Sequence, residues 1–161
     1  ELKAAGAERP GKAILACLHH APFTADINHG SSLPMITFLE EAFEESGVRA
    51  DIVFSGHVHN YQRFHKQYAD GKILPFIVAG AGGFDQLHSI AERSNPGFSA
   101  DHPLLRNVTL ENYCENKHGF LKISLSRVDT GINLHGEYYT IPHQLTVEGH
   151  AELADSFDFC F

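Results

Sequence analysis

The chain has 161 residues and 43% apolar content, which is enough for one folded domain with its own core and excludes a disordered tail. Its formal charge of -8 excludes a general nucleic-acid binder, which needs a basic face, but not a small phosphate ligand held beside a metal cation. No apolar run approaches the ~20 residues of a membrane span, and three cysteines without a CxxC pair argue against a cysteine zinc site.

In chain order, the polar, Gly/Pro-punctuated start through Lys12 reads as a loop or linker. Because it opens on Glu1 rather than Met, the expectation is a piece of a longer protein. Ala13 to Leu18 is a continuous apolar run whose length suits a strand buried on both faces, with Cys17 as a small buried hydrophobe; Pro22 closes it. Ser32 to Ser46 predicts a helix. Ser31 or Ser32 can cap it, Pro34 is tolerated in its first turn, and Gly47 stops it. Ile36, Leu39 and Phe43 form its apolar stripe, with the glutamates largely off it. Asp51 to Ser55 is a second short strand, so strand, helix and strand form a parallel β-α-β unit.

A third apolar run, Ile73 to Ala79, ends in Gly80-Ala81-Gly82-Gly83. Phe84 to Lys117 is irregular, with Pro96, Gly97 and Pro103, and is long for a loop. The pattern then changes period. Phe120 to Leu125 alternates, Asp129-Thr130-Gly131 turns the chain, and Ile132 to Ile141 alternates again, which predicts an antiparallel hairpin with one wet face. Cys114 and Cys160 can pair in an oxidising compartment, and Asn107-Val108-Thr109 is a glycosylation sequon; neither decides the compartment.

Two motifs end the first two strands: Leu18-His19-His20-Ala21-Pro22-Phe23 and Gly56-His57-Val58-His59-Asn60. In an open parallel sheet, ligands bind outside the carboxyl ends of strands. Neighbouring strands therefore bring several imidazoles to one crevice. On an extended backbone, residues two apart share a face, so His57 and His59 are expected to face it together. Neutral imidazole suits Zn, Fe or Mn, and three histidines without cysteine favour a catalytic over a closed structural site. A His-x-His alone is weak; two such motifs joined by one crossover helix are far more specific.

These motifs resemble the last two blocks of the calcineurin-like metallophosphoesterase superfamily. The run Gly56 to Arg63 is closest to its purple acid phosphatase branch. Val78 to Gly83, His29-Gly30 and His118-Gly119-Phe120 are similar to the same branch. The resemblance implies an α/β fold, part of a four-layer α/β/β/α sandwich, with residues 1–161 forming the C-terminal portion of one domain. It implies hydrolysis of small phosphate esters by a metal-bound hydroxide at a dinuclear site holding Fe, Zn or Mn. Carried over by position, His19 and His57 match ligands of one metal and His59 a ligand of the other. His29 matches the histidine that touches the phosphate or protonates the leaving oxygen, and His20 lies beside it on the substrate side. The plainer reading of His20, His29, His65 and His88 is surface or outer-shell histidine, and it is preferred for His65 and His88.

The superfamily also uses an Asp-x-His block, a Gly-Asp-x-x-Asp/Tyr block and a Gly-Asn-His block, and none occurs in the sequence. The resemblance therefore implies that a missing N-terminal half supplies the bridging aspartate and the remaining ligands, and that the piece alone is inactive. One alternative is a non-catalytic metal-binding or degenerate module that needs another chain. Another is an amidohydrolase, whose His-x-His lies on the first strand of a barrel; the crossover helix and later hairpin speak against it.

Overall fold

The structure, a computed structural model, describes residues 1–9, 11–91, 102–129, 131–142 and 149–161. Two helices, α1 (Leu2–Gly6) and α2 (Leu33–Ser46), accompany eight strands. The strands are β1 (Leu15–Cys17), β2 (Ile52–Ser55), β3 (Tyr61–Gln67), β4 (Ile73–Ala79), β5 (Val108–Cys114), β6 (His118–Val128), β7 (Gly131–Ile141) and β8 (Glu152–Cys160). A short 3-10 turn covers Pro103–Leu105. Among the described residues, no helix is long and apolar enough to cross a membrane.

Helix α2 forms where its sequence says it should. The Ser32 side chain accepts the Met35 N–H, Pro34 lies in the first turn, and Gly47 ends the helix at φ 67, a left-handed conformation that a residue without Cβ adopts freely. Its buried face is Ile36, Leu39 and Phe43. Glu40 reaches across to β3, taking the Lys66 ammonium at 2.6 Å and the Tyr68 hydroxyl at 2.8 Å.

The strands make two sheets. A five-stranded sheet has the order β1-β2-β4-β3-β5, and a three-stranded sheet the order β6-β7-β8. β1, β2 and β4 run parallel, whereas β3 is antiparallel to both β4 and β5. The three-stranded sheet is antiparallel throughout. Alternation along the strands sends residues to two cores. Val53, Phe64, Phe76 and Val78 pack with the apolar stripe of α2. Ile52, Tyr61 and Ile77 face the other way, onto Leu134, Tyr138 and Phe157 of the smaller sheet. The observed architecture is thus mixed α/β, with the larger sheet between helix and second sheet.

A polar clamp crosses between the sheets. The Tyr61 hydroxyl donates to Asp155 at 2.7 Å, and Arg63 donates to both carboxylate oxygens, at 2.8 and 3.2 Å. Tyr61 stacks on Tyr138 with ring centroids 3.9 Å apart.

The parallel unit, the helix and the C-terminal hairpin agree with the sequence expectations. Four features differ. The N-terminal stretch is not all loop, since Leu2–Gly6 is helical. β1 is not buried on both faces: it is the sheet's edge strand, hydrogen-bonded only to β2, and Cys17 is exposed. Cys114 and Cys160 form no disulfide with each other. β3, β5 and β8 were hidden to periodicity, because mixed burial and charged residues break their alternation. Pro96, Gly97 and Thr130 lie outside the described residues.

Candidate metal centre

The parallel register of β1 and β2 brings the two histidine motifs together. Leu15 pairs with Ile52 and Cys17 with Phe54. The ladder continues past both strands: Leu18 N–H donates to the Phe54 carbonyl at 2.9 Å, and Gly56 N–H donates to the His19 carbonyl at 3.1 Å. His19 and His57 therefore leave adjacent strands side by side, and their Nε2 and Nδ1 atoms stand 3.2 Å apart.

The segment after β2 is not extended, contrary to the expectation for His-x-His. Val58 N–H returns to the Gly56 carbonyl at 2.7 Å, and Asn60 N–H to the Val58 carbonyl at 2.8 Å, giving two consecutive three-residue turns. His57, at the centre of the first, has φ 64. A positive φ at a non-glycine residue is the strained form of such a turn, and strain of this kind persists where surrounding structure enforces it. Gly80 is part of that enforcement, since its N–H donates to the Asn60 carbonyl at 3.0 Å. A Cβ there would strike the Val58 carbonyl oxygen, which is backbone and cannot swing away. Gly80→Ala is expected to cost about 1–3 kcal/mol and to weaken zinc binding by displacing the turn. Thermal melting and zinc titration of the variant check both.

The imidazoles form a continuous chain. Ring centroids of His19 and His20, His19 and His57, and His20 and His57 are 5.0, 5.0 and 4.3 Å apart. His29 lies 4.9 Å from His57 and 5.3 Å from His88, and His88 lies 4.5 Å from His59. The structure thus places His19, His20 and His57 in direct company, with ligand atoms mutually within 4.8 Å. His59 stands at the far end of the chain, joined to His57 through His29 and His88. Its Nδ1 donates to the Gln86 carbonyl at 3.0 Å, which leaves Nε2 as the ring nitrogen with a free lone pair.

A buried polar web sets these positions. Gln62, fully buried, accepts the Ala25 N–H at 2.7 Å and donates to Thr24 at 2.9 Å and to Asn60 at 2.8 Å. Asn60 donates to the His88 carbonyl at 3.0 Å. His88 N–H in turn donates to the His59 carbonyl at 3.0 Å. Asp26 accepts the His29 N–H at 2.8 Å. The loop bearing His29, the turn bearing His57 and His59, and the segment bearing His88 are thereby tied into one unit.

Withdrawal from water, and then repulsion from His20, His29, His19 and His59, lower the pKa of His57. Both causes favour the neutral imidazole, which is the form that binds metal.

Of the histidines singled out from sequence, His19, His20, His29, His57 and His59 all belong to this chain of rings. His65 does not; its neighbours are Glu111 and Phe159. His88, read as surface or outer-shell from sequence, is a half-buried member of the cluster. Asp26 had no sequence signal at all. Both reach the site through long-range contacts: Asp26 pairs with Ile90, and Ile27 N–H donates to the Ser89 carbonyl at 3.1 Å. A groove of 1140 Å³ beside α1 and Phe161 includes none of these histidines; Arg9, Glu40, Arg49 and Asp70 give it mixed charge.

No protein-family model and no curated protein matches the chain.

Proposed function

We propose that this chain carries part of the metal centre of a calcineurin-like metallophosphoesterase, a hydrolase of phosphate esters. The observation that carries the reading is the His19–His57 pair at the ends of neighbouring parallel strands. A metal with bonds of ~2.0–2.1 Å to two imidazoles in tetrahedral geometry holds their nitrogens about 3.3 Å apart. The 3.2 Å between His19 Nε2 and His57 Nδ1 fits that edge. The donor set is all imidazole, which suits Zn, Fe or Mn.

In this reading His19 and His57 hold one metal, and His59 offers its Nε2 to the other. The bridging carboxylate and the remaining ligands come from chain outside residues 1–161. A bound metal pair supplies a water of lowered pKa and positive charge against the ester phosphate. This chain's own residues do the rest. His29, its ring tilted against that of His57, presents its ring to the phosphoryl oxygens or gives a proton to the leaving oxygen. His20, its ring 4.3 Å from that of His57, contributes a second donor toward an anionic substrate. The layering of helix, large sheet and small sheet is compatible with part of the sandwich that the superfamily resemblance implies.

The test is hydrolysis of an aryl phosphate monoester and diester by metal-loaded protein extended upstream of Glu1. Turnover that falls by about 10²–10⁴-fold in His29→Ala, with metal retained at His19 and His57, is the expected result. Metal-loaded extended protein that hydrolyses neither ester sinks the reading.

A further inference from the structure

One donor set in the crevice shares only His29 with the reading above, which gives Asp26 and His88 no role. A carboxylate oxygen of Asp26 and ring nitrogens of His29 and His88 lie within 4.8 Å of one another. The Asp26 side chain has no solvent exposure. Its Oδ2 accepts the Asn28 N–H at 3.0 Å and the His29 N–H at 2.8 Å, while the Asn60 amide approaches Oδ1 at 3.4 Å. The carboxylate is therefore fixed in place.

His88 supplies the second observation. Its Nδ1 is buried 3.3 Å from Asp26 Oδ2, yet it makes no hydrogen bond to that atom or to any other. A buried imidazole nitrogen left without a partner is unfavourable and calls for a reason. The backbone that carries the ring is held on both sides, through the His88 N–H by His59 and through its carbonyl by Asn60. Two donors bound to one tetrahedral ion at ~2.0–2.1 Å stand about 3.3 Å apart. The Asp26–His88 separation is that distance, so a shared ion would give the orphaned nitrogen a partner. Two imidazoles and one carboxylate make a donor set for zinc and its first-row neighbours, with one position left for water. The hydrogen bonds from Asn28, His29 and Asn60 onto Asp26 are the outer support such a ligand needs.

We propose that Asp26, His29 and His88 form a cation site of the Zn²⁺ class, built wholly from this chain and separate from the His19–His57 pair. Cation binding here does not rest on the phosphoesterase reading; only its consequence does. His29 cannot ligate this cation and serve the phosphate at once. Occupancy of the site thus withdraws His29 from the reaction, and zinc in excess opposes turnover.

The experiment is zinc titration by equilibrium dialysis with Zn²⁺ alone, on protein carrying His19→Ala and His57→Ala. That protein is expected to retain stoichiometric zinc. Adding His88→Ala is expected to weaken it by more than the roughly 10–100-fold that loss of an outer-shell partner costs. Because His88 is only half-buried, its removal should leave the melting transition in place, and circular dichroism on the same samples checks this. His88→Gln, which keeps bulk and polarity but not the imidazole, is expected to bind as poorly as His88→Ala. Absence of zinc from the His19→Ala, His57→Ala protein, or zinc binding indifferent to both His88 substitutions, overturns the proposal. Retained zinc in an extended protein that hydrolyses no phosphate ester overturns the phosphoesterase reading alone.

Discussion

His57→Ala should abolish metal binding at the His19 cluster, with zinc affinity there falling by more than about a hundredfold, while the chain stays folded. His57 is the ring on which the cluster converges: it touches His19, His20 and His29. Removing His19 or His20 leaves the chain of imidazoles continuous, but removing His57 breaks it in two. The substitution alone does not separate loss of the ring from loss of the turn, because residue 57 has φ 64. Alanine carries the same left-handed penalty as histidine, about 1–2 kcal/mol. His57→Gly removes it. The glycine variant is expected to melt about 1 kcal/mol more stably than His57→Ala and to bind no better. Zinc dialysis and thermal melting of metal-free protein read the two effects independently. A His57→Gly protein that binds zinc as the parent does would mean that the imidazole is not a ligand and that the conformation of the turn is what the site needs.

The histidine motifs were legible in the sequence because each terminates an apolar run, and two parallel strands flanking a capped helix fix where their ends go. Register did the rest: one hydrogen bond from Gly56 to His19 places the two motifs side by side. What periodicity got wrong at His57-Val58-His59 is instructive. An extended segment sends both rings one way, whereas consecutive three-residue turns separate them, and the turns are imposed by Gly80 from another strand. Asp26 and His88 were illegible for the same reason. Neither lies in a motif; they meet through a single β-bridge between distant loops and through Asn60 and Gln62, whose amides look like ordinary polar residues in sequence. β8 escaped notice because Asp155 interrupts its apolar face, and that residue turns out to be the one that joins the sheets.

Asp155→Ala should be the most destabilising single change on the described surface between the sheets, at about 3–5 kcal/mol. Asp155 is 8% exposed and receives Arg63 through both oxygens and Tyr61 through one. Deleting the carboxylate leaves a guanidinium packed near Phe157 with its counter-ion gone. Out of the ~5–15 kcal/mol typical of a domain, that is a large share, and it should lower the melting temperature by about 10 °C. Burial raises the carboxyl's pKa, but hydrogen bonds from Arg63, Tyr61 and Asn112 outweigh it and hold the group below its ordinary value. The sign follows: the stabilisation is complete above the ordinary carboxylate range and is lost as pH falls through the depressed native value. The parent should therefore lose stability at the acid end, and Asp155→Ala should show less of that loss. Replacing the pair with apolar residues, Arg63→Met with Asp155→Leu, should recover much of the deficit, because the penalty lies in the orphaned charge. The consequence reaches the histidines through β3 itself. Tyr61 and Arg63 point to the small sheet while Gln62, between them, ties down the loop leading to Asp26 and His29. Loosening one face of β3 loosens the other, so Asp155→Ala should also weaken zinc binding, although no atom of Asp155 is a ligand. A variant that melts within about 2 °C of the parent would show that the two sheets hold together without the clamp.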